Sequence, residues 1–159
     1  MSTKEAGVEE EISYRTAVER LAPCGIDCER CVMYAEGRIR RLATGLAEAL
    51  QGFDKMAARI TDRFPQLAGY GDFQEILALL GSASCAGCRQ GGSTLPFCAA
   101  RTCHAEQGVD FCFQCRDYPC ERNDYPANLV ERWRSCNDRM REVGVERYYR
   151  ESREKPRYC

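Results

Sequence analysis

Apolar residues recur every three or four positions between residues 36 and 64, which is the period of an amphipathic α-helix. Charged residues such as Arg40 and Glu48 occupy the opposite face. Gly45 and Gly52 each weaken a helix by about 1 kcal/mol relative to alanine, so the sequence allows a kink or a break at either glycine. Pro65 ends the segment. The apolar stripe consists of Ile39, Leu42, Leu46, Leu50, Phe53, Met56, Ile60 and Phe64.

Helical periodicity is also found in later segments. Asp72 is a suitable N-cap for a shorter helix that closes at Gly81 and carries Phe73, Ile76, Leu77 and Leu80. Near the C terminus a helix is predicted from the spacing of Leu129, Trp133, Cys136, Met140 and Val143. Gly144 breaks that pattern, and a final helix is predicted from Val145 to about Glu154. The weaker pattern from Ile12 to Leu21 fits a short helix or a strand.

Residues 81–127 show no sustained period but contain seven cysteines, several aromatic residues and many glycines and prolines. So long a loop without structure is improbable inside a compact domain, and the aromatic and cysteine content argues against disorder. We therefore expect cross-links to replace secondary structure here. The alternation of Val109, Phe111 and Phe113 predicts one short strand at most.

Charge and composition narrow the class of protein. The 159 residues include 23 Lys and Arg against 24 Asp and Glu, and this balance argues against a nucleic-acid binder. The start, MSTKEAGVEEE, lacks the features of a signal peptide, and no stretch is apolar enough for a membrane span. The expected location is the cytoplasm, where thiols stay reduced, so metal ligation or redox chemistry is favoured over disulfides.

Ten of the twelve cysteines are arranged at ligand spacing. A two-residue spacer lets both sulfurs of a tight turn face one ion, and Gly25 and Gly87 lie where such turns accept positive φ. Structural zinc takes four thiolates, commonly from two such pairs. We therefore predict metal binding by Cys24, Cys28, Cys31, Cys85, Cys88, Cys98, Cys103, Cys112, Cys115 and Cys120.

Zinc, in two ions, is the preferred metal, and a [4Fe-4S] cluster is the alternative because such clusters are also held by cysteines. The spacing of Cys24, Cys28 and Cys31 is also that of the cluster in radical S-adenosylmethionine enzymes, but the chain lacks the length and strands of that class. The predicted grouping places Cys85, Cys88, Cys112 and Cys115 on one ion. It places Cys24, Cys28, Cys31 and Cys120 on the other, with Cys98 and Cys103 unassigned.

Other candidates for chemistry are weak. His104, the single histidine, follows Cys103 and either completes a metal site or lies beside one. Cys136 falls on the apolar stripe of its predicted helix and is expected to be a core thiol, whereas Cys159 is expected to be free. No catalytic constellation is present, so the sequence leans against an enzyme.

These patterns predict a mainly α-helical protein, with a helical core and an irregular, cysteine-rich lobe stapled by metal. Residues 1–11 are predicted to be a disordered tail, and 12–159 a single cysteine-rich domain. Within that domain, 36–80 is helical, 81–127 is the lobe and 128–158 forms the C-terminal helices.

The cysteine series also resembles a known family. CGIDCERCVMY, CAGC and CAARTCHAEQGVDFCFQCRDYPCE, with the tail NDRMREVGVERYYRESREKPRYC, resemble the prokaryotic cysteine-rich family catalogued as domain of unknown function 3795. The resemblance implies a cytoplasmic metal-binding protein whose ligands match the ten cysteines. We accordingly expect a zinc-stabilised binding or adaptor module for a protein or small-molecule partner. The alternative is an iron–sulfur redox or electron-transfer protein.

Overall fold

The computed structural model describes residues 12–92, 95 and 97–158, and α-helices dominate this part of the chain. The predicted mainly α-helical fold is confirmed. The predicted tail, 1–11, and Cys159 lie outside the described residues. The helices are α1 (Tyr14–Arg20), α2 (Arg38–Ala49), α3 (Phe53–Ile60), α4 (Tyr70–Gly81), α5 (Ala100–Glu106), α6 (Ala127–Val143) and α7 (Val145–Glu154). Short 3-10 turns occupy Pro65–Gly69, Cys88–Gln90 and Cys112–Gln114.

The weak pattern near the start of the chain forms helix α1. Ser13 caps this helix, because its hydroxyl accepts a hydrogen bond from the backbone N–H of Thr16 at 3.1 Å. Such a cap satisfies one of the amides that a helix start leaves without a partner. The helix is therefore the correct choice of the two that the sequence left open.

The long helix predicted over 36–64 is divided at Gly52. This residue has φ +79, a backbone conformation that glycine adopts without steric cost, whereas Gly45 lies within α2. The shorter helix that was predicted to begin after Asp72 is α4. It begins at Tyr70, so Asp72 lies in its first turn and is not its N-cap. Helices α2 and α4 run antiparallel, since the Nε of Arg40 near the start of α2 donates to the carbonyl of Gly81 at 3.2 Å.

The principal contacts between elements fall into two sets. Helices α2, α3 and α4 and the turn between them pack on one another, and we call residues 38–82 the helical arm. Helix α7 packs on α1 and α6, and the cysteine-bearing turns pack on α5 and α6. We call the described residues outside the arm the cysteine-rich body.

Two features of the 81–127 segment differ from the prediction. Helix α5 was missed because its sequence, ARTCHAE, offers no apolar stripe and buries only Ala100. The predicted strand of Val109, Phe111 and Phe113 is wrong: the rings of Phe111 and Phe113 stack at 6.1 Å, and a 3-10 turn follows. Within the described residues, β pairing is limited to isolated bridges, Leu21 with Asp27 and Tyr34 with Cys85.

The body contains the hydrophobic core, in two adjoining clusters. The first packs α1 and the C-terminal helices around Phe111, and its buried members are Ala17, Leu21, Phe111, Met140, Val145 and Tyr149. The second packs the cysteine-bearing turns against α6, and its buried members are Ala22, Cys24, Cys98, Ala100, Cys112 and Trp133. Three of the predicted ligands are thus part of the core itself.

The arm is covered far less. In residues 38–82 only Ala43, Ala57 and Leu77 are buried. Large apolar side chains such as Leu42, Ile76 and Leu79 are 57–65% exposed. No helix among the described residues has both the length and the apolar character needed to cross a membrane.

Candidate metal centres

The first cysteine loop is held in place through three consecutive backbone carbonyls. The carbonyl of Pro23 accepts from the backbone N–H of Cys112 at 2.9 Å. The carbonyl of Cys24 accepts from the side-chain amide of Asn137 at 3.0 Å, and that of Gly25 from the hydroxyl of Tyr148 at 2.8 Å. The loop is thereby fixed against a second cysteine turn and both C-terminal helices.

Glycines shape the cysteine turns as the spacing predicts. Gly25 and Gly87 have φ +87 and +91. A Cβ at Gly25 would also come within 2.8 Å of the Cβ of Cys136, so a larger residue would be both strained and in collision. The backbone N–H of Gly87 donates to the sulfur of Cys85 at 3.4 Å, which is the kind of contact that stabilises a thiolate ligand.

Six of the ten predicted ligands line one cavity of about 140 Å³. The turn of the first three cysteines is joined to the turn of the next two by a backbone hydrogen bond from Cys85 to Met33 at 2.8 Å. The rest of the wall is largely apolar or aromatic, and it includes Trp133 and Leu129 of α6. We call the six the large cysteine group: Cys24, Cys28, Cys31, Cys85, Cys88 and Cys98.

Two thiols of the large cysteine group, those of Cys28 and Cys88, interact with each other. The Cys88 thiol and its backbone N–H both donate toward the sulfur of Cys28, and they lower the pKa of Cys28 to about 7. The same interaction, together with burial, raises the pKa of Cys88. Burial likewise raises the pKa of Cys24. A cation bound among these sulfurs would favour their thiolate forms.

Polar side chains at the wall of this cavity are few. The hydroxyl of Tyr125 lies 2.9 Å from the sulfur of Cys98, within hydrogen-bonding distance. Arg132 and Arg157 also line the cavity, and the charge of Arg157 favours the thiolate of Cys28. The site therefore offers positive charge and a hydroxyl to an anionic metal–thiolate centre.

The other four predicted ligands line a separate cavity of about 20 Å³. Helix α5 carries Cys103, the 3-10 turn begins at Cys112, and Cys115 and Cys120 follow that turn. His104 lines the same cavity, and its Nδ1 lies 3.3 Å from the carbonyl of Val109. We call Cys103, Cys112, Cys115 and Cys120 the small cysteine group.

Burial favours the protonated form of two thiols of the small cysteine group, those of Cys103 and Cys112. It raises the pKa of Cys103, and the neighbouring Cys120 adds to the effect. It also raises the pKa of Cys112 to about 12, against the opposing influence of the Trp133 indole N–H. That nitrogen is buried and makes no hydrogen bond of normal geometry in the described part of the molecule, so it remains available to a thiolate at Cys112.

The structure groups the cysteines differently from the predicted partition. Cys85 and Cys88 lie with the first three cysteines, whereas Cys112 and Cys115 lie with Cys103 and Cys120. Across the described residues, no three or more His, Cys, Asp or Glu side chains are placed so that they could hold a metal ion. The cysteines therefore line two cavities without converging on a point.

Two positions that sequence reasoning missed, Asn137 and Arg89, hold these turns. Asn137 is fully buried, and its carbonyl oxygen accepts from the backbone N–H of Phe113 at 2.9 Å. The guanidinium of Arg89 donates to the carbonyls of Leu21 and Asp110 at 3.0 and 2.7 Å. Cys136, expected in the core, is only partly buried and lies beside Tyr148. The sequence does place Asn137 as a polar residue on the apolar face of α6, but the same pattern also fits a solvated side chain.

Fold and site together define a small, mainly helical, cysteine-rich protein. A family described as "Protein of unknown function (DUF3795)" matches residues 20–125. The match spans most of the chain, and the protein belongs to this family, as the resemblance implied. No curated protein and no solved structure shows significant similarity to the chain.

Proposed function

We propose that the protein is a metal-stabilised binding module in which the small cysteine group holds one structural zinc ion. The observation that carries the proposal is that four cysteines, from helix α5, the 3-10 turn and the chain that follows it, line a cavity the size of a single ion or water. Four thiolates in a tetrahedron are the usual ligands of structural zinc.

Zinc binding requires the four sulfurs to approach to about 2.3 Å from the ion, so the cavity contracts when the ion binds. The thiols must also lose their protons. The buried indole N–H of Trp133 favours this at Cys112, because a donor directed at a sulfur stabilises its charged form.

The magnitudes indicate a structural role. Zinc bound by a small module contributes about 10–16 kcal/mol of apparent free energy. The net stability of a whole domain is about 5–15 kcal/mol. An ion in the small cysteine group would therefore decide whether the turns between α5 and α6 are folded.

The test is the zinc content of protein purified anaerobically, compared between wild type and two cysteine variants. Wild type is expected to hold zinc, and Cys112→Ser to lose about one ion per chain. Cys136→Ser is the matched control, since this thiol lies in neither cysteine group, and it is expected to keep the wild-type content. Equal zinc in wild type and Cys112→Ser, or none in wild type, contradicts the proposal.

The helical arm supports the binding part of the proposal. Arg40 and Thr44 of α2 face Gly81 of α4, and the helical period then places Leu46 and Ile76 on the same side of the helix pair. These side chains are 44% and 57% exposed. Large apolar side chains that are exposed on one element indicate an interaction surface when they form a patch, because large apolar patches on monomeric proteins commonly serve an interaction.

A further inference from the structure

We infer that the large cysteine group holds a [4Fe-4S] cluster, with Cys24, Cys28, Cys88 and Cys98 as its ligands. This inference deepens the proposed function, since it names the second metal centre beside the zinc of the small cysteine group. It also gives the two groups different inorganic occupants within one fold.

The cavity of the large cysteine group is larger than that of the small cysteine group, as a cluster is larger than a single ion. One probe sphere the size of water needs about 10–15 Å³, so the 20 Å³ of the small cavity suits a single ion. The 140 Å³ of the large cavity has room for about ten such spheres. A cubane of four iron and four sulfide atoms needs space of this order.

Four of the six cysteines belong to the second core cluster or pack against it. Cys24 and Cys98 are 8% and 5% exposed, and Cys28 and Cys88 pack against the same core cluster. Cys24 interacts electrostatically with Cys98 and Cys28, and also with Cys112 of the small cysteine group. Cys88 interacts with Cys28, Cys24 and Cys98. The remaining two, Cys31 and Cys85, are partly exposed, as Cys28 and Cys88 also are, but they do not pack against that core cluster.

The wall of the large cavity also suits an anionic cluster. Four thiolates on a cubane give a net negative charge, and Arg132 and Arg157 line the same cavity. The Tyr125 hydroxyl, 2.9 Å from the Cys98 sulfur, can donate to that sulfur once it is a thiolate. Hydrogen bonds to ligand sulfurs are among the features that set the reduction potential of such clusters.

The experiment uses the full chain, purified anaerobically from cells grown with added iron and assayed for iron, acid-labile sulfide and zinc. Wild type is expected to be brown and to hold about four iron and four sulfide per chain. Addition of one electron from dithionite is expected to give the electron paramagnetic resonance signal of a reduced cubane. The iron content of Cys98→Ser is expected to be at least fivefold lower than that of wild type, and its zinc content is expected to be unchanged.

Two results separate this inference from the proposed function. Colourless wild type with zinc and no iron overturns the cluster and leaves the zinc proposal intact. Brown wild type without zinc overturns the zinc proposal alone. If Cys98→Ser does not fold, the wild-type metal and sulfide content still decides the question.

Iron retained in Cys88→Ser and lost in Cys31→Ser overturns the ligand assignment.

Discussion

The cysteine-rich body and the helical arm are built on opposite principles. The arm has regular helices but almost no interior, since only Ala43, Ala57 and Leu77 are buried along 38–82. The body contains irregular turns, yet it holds two core clusters and the fully buried Phe111 and Asn137. Regular secondary structure and buried surface are therefore separated in this molecule.

The difference shows where stability resides. Burial of apolar surface is the main favourable term in folding, and a helix adds little without tertiary packing. The body therefore supplies most of the free energy of unfolding, and the arm depends on what it packs against. Disturbing each region in turn tests this contrast.

Removal of the proposed zinc ion is expected to have the largest effect. A zinc chelator would withdraw on the order of 10–16 kcal/mol of apparent binding free energy from the body. Amide hydrogen exchange is then expected to increase strongly in 98–126 and much less in the arm, whose amides are weakly protected in both states. Exchange that stays unchanged across 98–126 after confirmed loss of zinc would contradict the contrast.

Phe111→Ala is expected to lower the free energy of unfolding by about 3–5 kcal/mol. This ring is fully buried, stacks on Phe113 and has the Arg89 guanidinium 5.0 Å from its centre. Urea denaturation measures the change. The matched arm variant is Phe73→Ala, in which a 38% exposed ring is removed, with an expected loss of about 1 kcal/mol or less. Similar losses in both variants would remove the distinction between the regions.

Asn137→Ala is expected to cost about 3 kcal/mol, since a buried group left without its partner costs about 1–3 kcal/mol. The substitution leaves the carbonyl of Cys24 and the N–H of Phe113 without their side-chain partner. Asn128→Ala, at an exposed position on the same helix, is expected to change stability by about 0.5 kcal/mol or less. Both changes are measured by thermal and urea unfolding. Equal stabilities of the two variants would contradict the role of Asn137 in holding the cysteine turns.

Ile76→Ala is expected to have the smallest effect, within about 0.5 kcal/mol of wild type. The side chain is 57% exposed, and alanine is the better helix former, so little is lost. Its neighbour Leu77 is 7% exposed, and Leu77→Ala is expected to cost about 2 kcal/mol. A large loss in Ile76→Ala would show that its exposed face is packed in solution, as by a second copy of the chain.

The sequence predicts those parts of the molecule that depend on local patterns. The spacing of Trp133 and Met140 identified α6, and the glycine at 144 identified its end. The positive φ of Gly25 and Gly87 followed from the short spacers between cysteines. Helix α5 escaped prediction because its short sequence has no periodic apolar face.

The grouping of cysteines escaped prediction for a different reason. Sequence spacing determines which sulfurs share a turn, but not which turns meet. Turns meet here through long-range contacts, such as the hydrogen bond from Cys112 to the Pro23 carbonyl and the bridge between Tyr34 and Cys85. Asn137 and Arg89 were missed because a single polar residue has no local pattern that distinguishes a buried clamp from a solvated side chain.

The carbonyl anchors of the first cysteine loop imply an order of events during synthesis. Asn137, which donates to the Cys24 carbonyl, is synthesised 113 positions after Cys24. At 5–20 residues per second this is a delay on the order of 10 s. The small cysteine group spans only residues 103–120, so its four thiols leave the ribosome almost together. When residues 1–126 are followed by an unstructured linker long enough to span the ribosomal exit tunnel, a stalled nascent chain is expected to take up the proposed zinc ion while the early thiols still react with alkylating agents.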